Sequence, residues 1–193
     1  MDLRDLTNLL LGLVVSAILS FTCSFAFAMD PYKHLPTADE LNSAIDREGA
    51  KAVLWEGLWS EGNGNVFESL MGKIQSGDTK WLRLAARLRP VSDAGASELL
   101  DAAVSDALPR APGRVLRVTT LSDGPDRYSI PSICSGRFLL RKDYPPEKAS
   151  RWYEDSERAL LGFKAADLEA KRTACLAEVR RSHHLSLTRK AER

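Results

Sequence analysis

Trp55, Glu56, Trp59 and Glu61 stand close together and run into the loop Ser60-Glu61-Gly62-Asn63-Gly64-Asn65. An acid and a base beside an aromatic platform is an arrangement that can cleave a glycosidic bond. One carboxyl protonates the leaving oxygen while the other attacks the sugar or activates water. The same residues also fit a plainer reading, because Glu56 on a helix surface and Glu61 at a helix end are what any soluble helix displays. Trp55 and Trp59 share one helical face with Leu58 beside them. Buried, they are core; exposed, they form a docking patch, since tryptophan is enriched among interface hot spots. Asn63 and Asn65 in the adjoining loop, and Tyr128 in a later irregular stretch, extend that expected interaction surface.

The other reactive residue types are few. The histidines are His34, His183 and His184. Neighbouring histidines on a helix diverge too far to chelate one ion, so no metal site and no cofactor are expected. The sequence contains no Gly-x-Ser-x-Gly elbow, no His-Glu-x-x-His pair and no phosphate-binding glycine loop. A Ser-His-Asp triad would have to recruit a histidine from near a terminus, where a base is hard to hold rigidly. The cysteines are Cys23, Cys134 and Cys175. The latter two have neither the spacing nor the neighbours of a metal or redox pair, and they are expected to form a structural disulfide tying the last helix to the loop before it.

That expectation agrees with the first residues of the chain. Leu9 to Phe27 is an apolar stretch that ends on the small-residue site Ala26-Phe27-Ala28, the pattern of an export signal cut after Ala28. Arg4 is offset by Asp2 and Asp5, so the positive bias of such a signal is weak, and retention as a membrane anchor stays open. Thr22 stands where a lipid-attachment motif at Cys23 needs a smaller residue. Residues 1–28 are thus read as a signal peptide, residues 29–185 as one helical domain, and 186–193 as a basic, disordered tail. The setting is periplasmic or secreted.

The chain carries 27 Lys and Arg against 26 Asp and Glu, a net +1. Removing Arg4, Asp2 and Asp5 leaves the body at +2. So even a balance argues against a nucleic-acid binder and against general attraction to an acidic membrane surface.

The elements that must position these residues read as helices. Thr37-Ala38-Asp39-Glu40 is a capping box, and Gly49 is the stop or bend that follows. A second helix runs from Ala52 through Trp59. A third carries Phe67, Leu70, Met71 and Ile74 on one face, with Asn65 placed to cap it and Gly77 to end it. Asp78 or Thr79 opens a fourth, in which Trp81, Leu84, Ala85 and Leu88 form a stripe. Ser92-Asp93 opens a fifth, and Pro112 lies in the first turn of a short sixth. From Thr119 to Pro146 the pattern is irregular and contains Cys134. After Glu147 a long helix runs to His184, with Gly162 as a kink or as the end of one helix before a second begins near Asp167.

The fold class expected is all-α: an antiparallel bundle or short stack of about six to seven helices with one irregular loop held by the disulfide. The function expected is that of an exported protein-binding or accessory module whose partner is another exported or periplasmic protein. An inhibitor or immunity-type role is an analogy of size and compartment alone. The alternative is a periplasmic cell-wall or glycan hydrolase using acidic residues.

Overall fold

A computed structural model of the chain describes residues 32–60, 64–122, 124, 127–136 and 145–191. Residues 1–28, read above as an export signal, lie outside this set. The protein is all-α, with nine α-helices among the described residues. Helix α1 spans Ala38–Glu48 and starts on the expected capping box: the Glu40 amide donates to Thr37 Oγ1 at 3.3 Å, and the Thr37 amide donates to Glu40 Oε2 at 2.8 Å. Its buried residues are Ala38, Leu41, Ala44 and Ile45.

Helix α2 departs from the sequence reading. It begins as a short α-helical turn, Ala50–Ala52, and widens into a π-helix over Val53–Leu58. The Trp59 amide donates to Leu54 O, five residues back, at 2.8 Å. The wider turn buries Val53, Leu54, Gly57 and Leu58 together, and the Tyr32 amide donates to the Gly57 carbonyl at 3.3 Å. π-Turns are rare and arise where packing rewards them over the tighter helix.

Helix α3 (Gly64–Gln75) follows and begins one residue before the expected cap Asn65. It ends at Gly77, whose φ of 73° needs a residue without a side chain. A Cβ at Gly77 would also lie 2.6 Å from the Ala111 methyl. Helix α4 (Thr79–Leu88) is capped by Asp78, which accepts from the Lys80 and Trp81 amides. Lys80 pairs with Asp39, and Arg87 with both Asp46 and Asn42, so α1 and α4 lie side by side running the same way. This arrangement is a stack rather than a strictly antiparallel bundle.

Asp93 caps helix α5 (Ala94–Asp106), and Pro112 opens helix α6 (Pro112–Val118). The stretch that reads as irregular contains order: strand β1 (Thr119–Thr120) pairs in parallel with β2 (Tyr128–Ser129), and helix α7 (Ile130–Cys134) follows directly. Gly162 ends helix α8 (Pro146–Gly162), and helix α9 (Glu169–Ala191) starts after a 3-10 turn at Ala166–Leu168. Arg172 donates to Leu160 O, Arg180 pairs with Glu157, and His183 stacks on Tyr153, so α8 and α9 are antiparallel. Helix α9 continues to Ala191, so the segment expected to be a disordered tail from 186 is helical up to that point.

The expected Cys134–Cys175 disulfide is present, joining α7 to α9 with a Cα–Cα distance of 5.4 Å. Both cysteines are fully buried. Around the bridge, Ser105 Oγ donates to Ile133 O at 2.8 Å, and Tyr153 Oη donates to Ser135 O at 3.1 Å. The core spreads continuously from α1 and α2 to the α7–α9 corner. No described helix is long and apolar enough to cross a membrane.

Candidate functional site

Of the expected interaction residues, Trp55 and Trp59 meet, while Tyr128 is buried in the core. Trp55 is half-buried, with its indole N–H donating to Val91 O at 3.0 Å. Trp59, at 36% exposure, sits edge-on to Trp55 and to Phe67, with ring centres 6.0 and 4.4 Å away. This small aromatic cluster leaves one indole at the surface. Asn65 is exposed in the first turn of α3, where its carbonyl accepts from Ser69 Oγ. Asn63 lies outside the described residues.

Tyr128 corrects the sequence reading. It is 1% exposed and its hydroxyl donates to Ala85 O at 3.0 Å, so it belongs to the core rather than to a docking surface. The β1–β2 pairing carries it inward against α4. Burial, with the Asp101 carboxylate nearby, raises its hydroxyl pKa well above the usual phenol value.

Glu56 is exposed on the π-turn, and Glu61 lies outside the described residues. His34 is exposed, His184 is exposed, and His183 is stacked on Tyr153 with ring centres 4.9 Å apart. Among the described residues no three His, Cys, Asp or Glu side chains gather to hold a metal ion.

Two recesses instead concentrate polar chemistry. The larger is a cleft of about 620 Å³ between the C-terminal ends of α3 and α5, the following turn, and one face of α8. Gln75 closes α3 and Asp106 closes α5, and the Gln75 amide donates to Asp106 Oδ2 at 3.2 Å. Arg110 comes from the turn, and Lys148, Arg151, Asp155 and Arg158 come from α8. Trp152 forms the wall between them, its indole N–H donating to Ser105 O at 3.2 Å. Burial pushes the Asp106 carboxyl up to about 6, against the opposing pull of the Arg110 charge. Asp155 is bound to Arg158 at 2.9 Å.

The second recess is a groove of about 470 Å³ between α4, α6 and the start of α9, and it is lined by Arg83, Arg114, Arg117 and Lys171. Lys171 donates to Leu116 O at 3.0 Å and to Thr119 O at 2.6 Å, so it serves the open carbonyls at the end of α6. Arg117 pairs with Asp167 at 3.0 Å. Arg83 and Arg114 are exposed and have no carboxylate partner among the described residues.

Sequence reasoning missed both recesses. The visible trace of the first is the spacing of Lys148, Arg151, Asp155 and Arg158, which marks one face of a helix. The second leaves the trace of Arg114 and Arg117, three residues apart on one short helix. The chain matches no protein-family model, and comparisons with curated proteins and with solved structures also return no match.

Proposed function

We propose that this protein is an exported binding module that docks an acidic face of another exported protein in the groove between α4, α6 and α9. The observation that carries the reading is charge segregation. A chain of net charge +1 places four cations around one groove, and two of them, Arg83 and Arg114, have no carboxylate partner among the described residues. Arginine forks suit carboxylates and are enriched at interfaces. The export pattern ending at Ala28 and the Cys134–Cys175 disulfide support an oxidising compartment as the place of action.

The test uses the tagged full chain, expressed with its own N-terminus, as bait in an extract of the exported compartment. One partner should be recovered in near-equal amount, and Arg83→Glu with Arg114→Glu should release it while leaving the melting temperature unchanged. Recovery of the same partner by that double variant would refute the groove as its seat. N-terminal sequencing of the exported protein should begin at Met29.

A second reading is favoured by Asp106. A carboxyl raised to about 6 inside a cleft that also holds Asp155, ion-paired with Arg158, supports a glycan hydrolase working through two acids. Release of soluble fragments from purified cell wall, abolished by Asp106→Asn, would favour it over the binding module.

A further inference from the structure

The cations around the Asp106 cleft are not arranged to serve Asp106. The Arg110 guanidinium donates to the backbone carbonyl of Asp106, at 3.3 Å, rather than to its carboxylate. Lys148 and Arg151 are exposed on α8 with no carboxylate partner among the described residues. Arg158 is occupied by Asp155. The Asp106 carboxyl makes its described hydrogen bond with the neutral Gln75 amide from α3. The cleft therefore holds unspent positive charge beside a half-buried carboxyl that burial drives toward its neutral form.

We propose that this cleft binds a small dicarboxylate through Arg110, Lys148 and Arg151, and that Asp106 takes up a proton from solvent as the ligand enters. The protonated Asp106 carboxyl then donates its O–H to one ligand carboxylate, while the cations receive the other. Two separated carboxylates match cations that come from two elements, the turn after α5 and the exposed edge of α8. The space of about 620 Å³ holds such a molecule with room for water. The charged groups that line the cleft with Asp106 are Arg110 on the turn and Lys148, Arg151, Asp155 and Arg158 on α8, and the Arg110 charge acts on Asp106 directly. Of these, Asp155 is ion-paired with Arg158 at 2.9 Å. This site is separate from the α4, α6 and α9 groove and stands or falls independently of it.

Linkage sets the size of the effect. An ionised Asp106 repels the ligand, so binding selects the protonated form, which is scarce above the free carboxyl's pKa of about 6 and abundant below it. Affinity should rise as pH falls, by up to roughly 25-fold between about pH 7.5 and about pH 5.5.

The experiment is calorimetric titration of the full chain with tartrate, which stays doubly ionised across this range, and with sulfate as a tetrahedral dianion, at fixed ionic strength. Tartrate should bind about tenfold or more tighter at the lower pH, with proton uptake visible as a dependence of the heat on the buffer's ionisation enthalpy. Asp106→Asn, which keeps the shape and can still accept from Gln75, should bind tartrate tightly at both values and lose the pH slope. Lys148→Ala with Arg151→Ala, both at exposed positions, should abolish binding at either pH. Sulfate binding as tightly as tartrate would overturn the dicarboxylate assignment. A tartrate affinity that ignores pH, an unchanged slope in Asp106→Asn, or no binding of either anion would overturn the proposal itself.

Discussion

Removing the Cys134–Cys175 bridge offers a quantitative check on how the α7–α9 corner is held. The two cysteines are 41 residues apart, so the bridge closes a loop of that length in the unfolded chain. In the chain-entropy model, opening such a loop returns freedom to the unfolded state that is worth about 4 kcal/mol of folded-state stability at room temperature. For a domain of this size each kcal/mol moves the midpoint by roughly 2 to 4 °C, so the expected fall is roughly 8 to 16 °C.

The cleanest perturbation is the double change Cys134→Ala with Cys175→Ala, compared with the unaltered chain before and after reduction. Alanine avoids the hydroxyl that serine would leave at these fully buried positions. Reduction keeps every sulfur atom in place, so the difference between the two treatments separates lost packing from lost constraint. Thermal melting followed by far-ultraviolet circular dichroism should show the lower midpoint with nearly unchanged helix content at low temperature, because α7 and α9 keep their apolar contacts. The oxidised chain should also present no reactive thiol from residues 134 and 175 under denaturing, non-reducing conditions. A reduced chain that melts within a degree or two of the oxidised one would refute the loop-entropy reasoning.

Three further outcomes follow from the packing. Tyr128→Phe should cost about 1 kcal/mol in urea unfolding, a modest loss because Ala85 O also accepts from the Arg89 amide and is not left bare; a cost several times larger would mean the hydroxyl does more than this bond. Gly113→Ala should destabilise by about 1 to 3 kcal/mol, since the new Cβ would lie 2.5 Å from the Phe163 ring, and an unchanged urea midpoint would show that the ring moves aside freely. The Asp106 carboxyl has a folded-state pKa raised from 3.8 to about 6, so the folded state binds the proton more tightly and the stability this confers is present below about pH 4 and lost as pH rises through about 6. Asp106→Asn should accordingly raise stability at neutral pH by about 1 to 2 kcal/mol, a figure reduced for the group's partial exposure, and should flatten the unfolding free energy between those pH values.

What was legible in the sequence was local. Thr37 with Glu40, Asp78 and Asp93 are caps whose hydrogen bonds reach only two or three residues along the chain, and each starts a helix where its type implies. Periodicity located α4 but understated its depth: Leu84, Ala85 and Leu88 are buried as the stripe requires, yet Leu82 is buried too, because the helix is covered on more than one side. The π-turn at Val53–Leu58 gave no such sign. Its Gly57 carbonyl accepts from the Tyr32 amide in a distant segment, and the residues themselves are compatible with an ordinary helix.

The same distinction explains why the recesses were hidden while the aromatic loop drew the eye. Trp55, Trp59 and Asn65 are neighbours in sequence and look like a site, but the fold uses the first indole to hold Val91 and the second to close a cluster with Phe67. Gln75, Asp106 and Arg151 are ordinary surface residue types at remote positions, and they acquire meaning only when the ends of α3 and α5 meet the face of α8. Burial does the rest: a carboxyl that would be an unremarkable acid on an open helix end has its charged form disfavoured once the cleft walls exclude water from it. The polar clefts of this chain thus arise where helix ends meet, and the stacking order decides which charges are paired and which are left exposed.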